Sequence, residues 1–329
     1  MGGRAQLGIP DPRSSFRLAA IRLPPMTDAL LLEATQLLQS GDADEALTLA
    51  LRLSEGGEPE ALALVAQILG ERGERARLVE VATSFSSANP ELSRGWELLG
   101  DALSLSGEKA SALQAYAQAA TCCDADAGRL ACSKASALLQ AGAHADARAA
   151  LDALPEDSPY LVRAAMLRLQ SHNATGEHQA GLDFVAEALT GKALTAPPAE
   201  LAWLMVEEGH ARLATNQNQQ AALCGVRAAA LDRGNEGALY VLREALGMRS
   251  PDAHRYRLQL AADLVPEAGG GRFTAAYEVV ADEPSEALAL CQPLEPGATD
   301  FTITAFDKGE PTPELPKGVY SRSARETLS

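Results

Sequence analysis

Between residues 27 and 247, apolar side chains recur three and four positions apart in stretches of helical length, with polar residues filling the gaps. This is the pattern of amphipathic helices. The stretches come in twos, and a glycine separates the halves: Gly41, Gly73, Gly107, Gly142 and Gly176, spaced 32 to 35 residues apart. A period in that range marks a chain built from one repeated helix pair. Aligned on the glycine, six pairs are predicted at about 27–58, 59–92, 93–126, 128–160, 162–196 and 200–234. The sixth carries Asn216 in the glycine's place, and asparagine tolerates the left-handed backbone better than most residues. Thr195-Ala196-Pro197-Pro198 reads as a loop before it. A shorter seventh pair is predicted at 236–247 and 251–264, with Ser250 as cap and Pro251 at the first helical position. It would serve as the end cap that a stack of repeats needs.

Two columns of small residues support the alignment. Seven residues before each turn stand Ala34, Ala66, Gly100, Ala135, Leu169 and Gly209; five residues after it stand Ala46, Leu78, Ala112, Ala147, Gly181 and Ala221. Five of six are Gly or Ala in each column, as expected where two antiparallel helices approach closely. The pattern changes in the tail. Gly269-Gly270-Gly271 after Pro266 reads as a linker at 267–271. Residues 272–281 are rich in β-formers, Asp282-Glu283-Pro284-Ser285 opens a short helix, and 299–306 alternates with Phe301, Ile303 and Ala305 on one face. Gly318-Val319-Tyr320-Ser321 suggests a further strand. The unit at 272–329 is too small to bury a good core alone and is expected to dock on the last helices.

The third unit carries Trp96, Leu99, Gly100, Gly107, Ala112, Tyr116 and Ala119 in the order and spacing of a known 34-residue pattern. In these residues the chain resembles the tetratricopeptide repeat (TPR) family. Asp124 stands where that pattern has proline, whereas Pro90 and Pro159 keep it in the second and fourth units. The resemblance implies a mainly α fold: a TPR-like α-solenoid of about six to seven helix pairs over 26–266, followed by a small α+β unit. It also implies a protein-binding role, because the first helix of each pair lines a concave groove in that family.

Groove positions follow from the resemblance. Six residues before the turn stand Thr35, Gln67, Asp101, Ser136, Gln170 and His210, all polar. Thirteen before it stand Arg94, Arg129 and Arg163 in three consecutive units, and Trp203 in the sixth. The polar row suits hydrogen bonding to an extended peptide, and the arginine row suits bidentate capture of carboxylates on acidic segments. The plainer reading is a solvated face whose arginines pair with neighbouring acids such as Glu97. Trp203 and Met166 are candidate apolar anchors, with core burial the alternative for Met166. The Lys/Asn clamp of the family's chaperone-binding members is not reproduced: Leu31/Thr35, Ala63/Gln67 and Glu97/Asp101 fill those places.

Composition narrows the partners. Only 4% of residues are aromatic and the formal charge is −16, which disfavours a β-rich fold and nucleic acid as a partner. No apolar run is long enough to predict a membrane span. Residues 1–25 hold four arginines against Asp11 and read as a disordered leader. The five cysteines, Cys122, Cys123, Cys132, Cys224 and Cys291, are odd in number and lack a C-x-x-C, which predicts free thiols in a reducing, cytoplasmic setting. No phosphate loop or zinc-protease motif is present. His172 and His178 flank the Gly176 turn without a recognised ligand spacing. No catalytic, cofactor or metal site is therefore expected. The expected function is a non-enzymatic scaffold or adaptor that holds a partner peptide or helix. The alternatives are a dedicated chaperone or neutralising partner of one cognate protein, self-association through the repeats and, least favoured, an enzyme with its site in the tail.

Overall fold

The computed structural model describes residues 25–152, 154–155, 158–190 and 196–328. The leader expected at 1–25 lies outside the described residues except for Pro25, as does Thr195 of the expected loop. The chain divides into two units, at Pro90.

The first unit holds two helix pairs, α1 (Pro25–Ser40) with α2 (Ala43–Glu55), and α3 (Pro59–Glu71) with α4 (Arg75–Ala88). Pro59 opens α3, where its missing N–H costs nothing. Ala34 and Ala46 are fully buried, so the small-residue columns do bring the helices together here.

The second unit continues the repeat with α5 (Ser93–Leu105), α6 (Lys109–Thr121), α7 (Ala127–Gln140), α8 (His144–Leu151), α9 (Leu161–Thr175), α10 (His178–Leu189), α11 (Pro198–Ala214), α12 (Asn218–Leu231) and α13 (Glu236–Leu246). The turns explain the period. All five spaced glycines have φ between 71° and 94°, and Asn216 takes the same region at φ 58°. A side chain at the first five would be strained there. Close packing explains the columns. A Cβ on Gly100 would lie 2.5 Å from the Tyr116 ring, and one on Gly181 would lie 2.7 Å from Leu169. The large Leu169 in one column is thus matched by glycine in the other. Asp124, in the proline's place, acts as a tether. Its carboxylate accepts the Ser93 amide at 2.9 Å, tying the end of α6 to the start of α5.

The expected helix at 251–264 is instead a strand. Residues His254–Leu264 form β1, the centre of an antiparallel sheet with β2 (Arg272–Ala281), β3 (Ala298–Pro311), β4 (Gly318–Arg322) and β5 (Glu326–Leu328). The order is β3-β1-β2-β4, with β5 also on β2. The reason is local: Arg255, Arg257 and Gln259 alternate with the buried Tyr256, Leu258 and Leu260, a period of two that outweighs the capping signal at Ser250-Pro251. Gly269–Gly271 accordingly form the β1–β2 hairpin turn rather than a linker between domains. A short helix, α14 (Pro284–Cys291), crosses between β2 and β3. The inner face of the sheet and helices α11–α13 share one core, with Phe273, Tyr277 and Val279 beside Val206, Leu239 and Leu242.

The β3 alternation also differs from expectation. Leu260 pairs with Ile303 and Leu258 with Phe306, so the strand gains a residue at Thr304. This bulge puts Phe306 on the face of Ile303, and Ala305 on the other.

Candidate functional site

Helices α5, α7, α9, α11 and α13, the first of successive pairs, pack side by side in the second unit, while their second helices contact mainly their own pair and the next first helix. The layer in closest mutual contact is the inside of a curved stack, so these helices form its inner wall. Of the residues thirteen and six before the turns, Arg94, Asp101, Arg129, Ser136, Arg163, Gln170, Trp203 and His210 belong to these helices. Gln67 belongs to the first unit, where it is exposed on α3 and donates to Glu71 at 3.0 Å.

At the α5–α7 end the wall is polar and self-satisfied. Glu97 is almost fully buried, yet it is held by three donors: Arg94 Nη1 at 2.8 Å, Arg129 Nε at 2.7 Å and Ser133 Oγ at 3.0 Å. Two of the three row arginines therefore neutralise an internal carboxylate. Arg163, on α9, makes no ion pair with a described residue. Asp101 accepts from the Tyr116 hydroxyl at 2.7 Å. Burial pushes its carboxyl up to about 6, with the nearby Glu97 charge adding to the rise and the Tyr116 bond, Arg94 and Arg163 opposing it. Ser136 is half-buried and Gln170 exposed on the same wall. Met166 is half-buried and packs against two core clusters, which favours its structural alternative.

At the α11–α13 end the wall is aromatic. Trp203 is 46% exposed and Tyr240 48% exposed. Trp203 lies against Gly237 of α13, 3.5 Å from where a Cβ would sit. His210, two turns on from Trp203, meets Tyr240 edge-on at 5.9 Å. Three aromatic rings thus lie along the seam where the two helices meet, a shallow cleft at most. Tyr240 stands outside the rows that the sequence marks. Its own signal is nonetheless present, because the apolar stripe of α13 is Ala238, Leu239, Val241, Leu242 and Ala245, and an aromatic residue off that stripe has no core to fill.

Neither a protein-family model nor a curated protein matches the sequence. Solved structures do match in fold. A tetratricopeptide repeat protein from Parabacteroides merdae is 17% identical, with 68% of this chain and 86% of that chain covered and a TM-score of 0.53. The chain has the tetratricopeptide repeat fold. PilF of Pseudomonas aeruginosa is 17% identical over 67% of this chain and 96% of that one, with a TM-score of 0.42 that adds no weight.

Among the described residues no group of three side chains is placed to hold a metal ion. His172 pairs with Glu177 at 2.9 Å, and His178 with Asn173 at 3.2 Å. Cys132, Cys224 and Cys291 are buried, Cys122 is half-buried and Cys123 is exposed; all five are free thiols. No described helix is long and apolar enough to cross a membrane. A concavity of about 640 Å³ lies on the sheet, bordered by Arg257, Glu278, Asp307 and Ser321.

Proposed function

We propose that this protein is a non-enzymatic scaffold or adaptor that holds a peptide or helix of a partner protein against the inner wall formed by α5, α7, α9, α11 and α13. The observation that carries the reading is the aromatic cleft. Large rings cost free energy when left in water, and Trp203 and Tyr240 both stand about half exposed. Exposed aromatics in a cleft are the side chains that dominate binding energy at protein interfaces. Ser136, Gln170 and His210 supply hydrogen-bonding groups along the same wall, while Asp101 is already engaged by Tyr116.

The test is a tagged pull-down from native cells, read by mass spectrometry, comparing the wild type with Trp203→Ala/Tyr240→Ala. A partner that dissociates in the double variant, while Gln170→Ala retains it, supports the cleft. Equal capture by both proteins would remove this wall from the function.

A further inference from the structure

The aromatic cleft has a charge, and the charge names a ligand class. Helical spacing places Glu200, Trp203, Glu207 and His210 on one face of α11, and Glu236, Tyr240 and Glu244 on one face of α13. Glu200, Glu236 and Glu244 make no ion pair among the described residues. Glu207 accepts from Asn173 at 3.0 Å and lies 3.9 Å from His210 Nδ1. The arginine beside Tyr240 is Arg243, its guanidinium 6.0 Å from that ring. It is turned toward the sheet, with its guanidinium 4.0 Å from the Tyr320 ring and Nη1 donating to the Val319 carbonyl at 2.7 Å. Glu236 and Glu244 both act on it electrostatically. In the arginine row, Arg94 and Arg129 are spent on Glu97, and Arg163 is left without an ion pair among the described residues. The α11–α13 end of the wall is therefore acidic, with Glu200, Glu207, Glu208, Glu236 and Glu244 against Arg212 and Arg243.

We infer that the α11–α13 cleft takes a basic peptide segment, with a lysine or arginine side chain over the faces of Trp203 and Tyr240 and its charge balanced by Glu200, Glu236 and Glu244. An aromatic face attracts a cation through its quadrupole, most strongly for tryptophan. Carboxylates at the rim add Coulomb attraction that salt weakens. Among the described residues no cation stands over the Trp203 ring, whereas Arg243 already lies 6.0 Å from the Tyr240 ring. An acidic segment would meet four carboxylates and one half-buried arginine that is already engaged. The inference rests on the binding role proposed above and narrows its partner.

Trp203 reports on the cleft directly. The chain has two tryptophans, so Trp96→Phe leaves Trp203 as the only source of indole fluorescence. The experiment titrates this variant with a short Lys/Arg-rich peptide and with the same peptide carrying glutamate at every basic position, at low and at high salt. The expected result is a saturable change in Trp203 emission with the basic peptide only, weakened by salt. About tenfold weaker binding is expected for Tyr240→Ala, and again for Glu200→Gln/Glu236→Gln/Glu244→Gln. Glutamine keeps the shape of glutamate, and circular dichroism of each variant confirms the fold. If the acidic peptide changes Trp203 emission as well as or better than the basic one, the basic-ligand inference is overturned and the groove reading survives. Binding of the basic peptide unchanged by the glutamine variant overturns it too. If neither peptide perturbs Trp203 and the pull-down is also insensitive to Trp203→Ala/Tyr240→Ala, both readings fall.

Discussion

Glu97 shows how a single side chain can reassign its neighbours. Its carboxylate is buried while Arg94 and Arg129 remain about a quarter exposed, so the two sides of the ion pairs are not equivalent. Arg129→Met leaves a buried charge short of a partner and is expected to cost about 3 kcal/mol. Glu97→Gln leaves cations that water reaches and is expected to cost roughly half as much. Urea denaturation of both variants checks the order, and a larger loss for Glu97→Gln would contradict this account. Gly100 is a second such residue. Gly100→Ala forces its methyl into the Tyr116 ring, and a loss of ~1–3 kcal/mol is expected in thermal denaturation. Asp101 predicts a pH effect. Unfolded, it ionises near 3.8; folded, it keeps its proton to about 6. The folded state binds more protons across that window, so this group's contribution to stability falls as pH rises through it. Asp101→Asn removes the titration and can still accept from Tyr116. The variant should gain in melting temperature relative to wild type at pH 7, and gain less at pH 4. An equal gain at both would show that Asp101 is not the group responsible.

At the scale of elements, the repeated helices were legible because three independent signals coincided: the 3.6-residue periodicity, the turn glycines and the small-residue columns. They mark helix pairs from α1 to α12, and the structure forms helices there. The signal failed where a single cue stood for the whole element. Ser250-Pro251 is a good helix start, yet the alternation from Arg255 to Leu260 decides the element, because β1 must bury one side against helices and pair on both edges. The bulge at Thr304 could not be read from alternation, since it depends on the partner strand's register. Pairing of row arginines with Glu97 was readable as the plainer alternative, and Arg94 and Arg129 do pair with it; that Glu97 is buried while they are not was unreadable, because it depends on how α5 and α7 pack. Capping gives a further check. The Asp124 carboxylate holds the first amide of α5 from 31 residues away, so Asp124→Ala is expected to cost about 1 kcal/mol. Faster hydrogen exchange should be confined to the first turn of α5; an unchanged exchange rate would refute the cap.

At the scale of the second unit, the sheet is fastened to the helices by charge as well as by apolar contact. Glu295 is fully buried in its side chain and receives Arg233 from the α12–α13 connection, Arg325 at 2.8 Å and the Tyr277 hydroxyl. Arg322, also buried, donates to the carbonyls of Ala229, Arg233 and Leu294. Removing the central carboxylate with Glu295→Ala leaves three guanidinium groups facing one another. A loss of about 3–5 kcal/mol is expected, with near-ultraviolet circular dichroism reporting the changed surroundings of Tyr277. Stability within about 0.5 kcal/mol of wild type would show the network to be incidental.

The sheet also changes what can be joined to the stack. Helical repeats lengthen by laying one more helix pair on the last, and α13 would ordinarily offer its face for that. Here β4 lies against α13 and β2 shares its core, so the sheet covers the face on which a next helix pair would be laid. What the far side of the unit offers instead is the free edge of β3, a row of backbone donors and acceptors. That edge is interrupted by the bulge at Thr304 and carries Asp307 and Lys308, features that discourage strand-to-strand adhesion. The stack is thereby given a definite length in this direction: the face for further helices is covered, and growth by strands is made unfavourable.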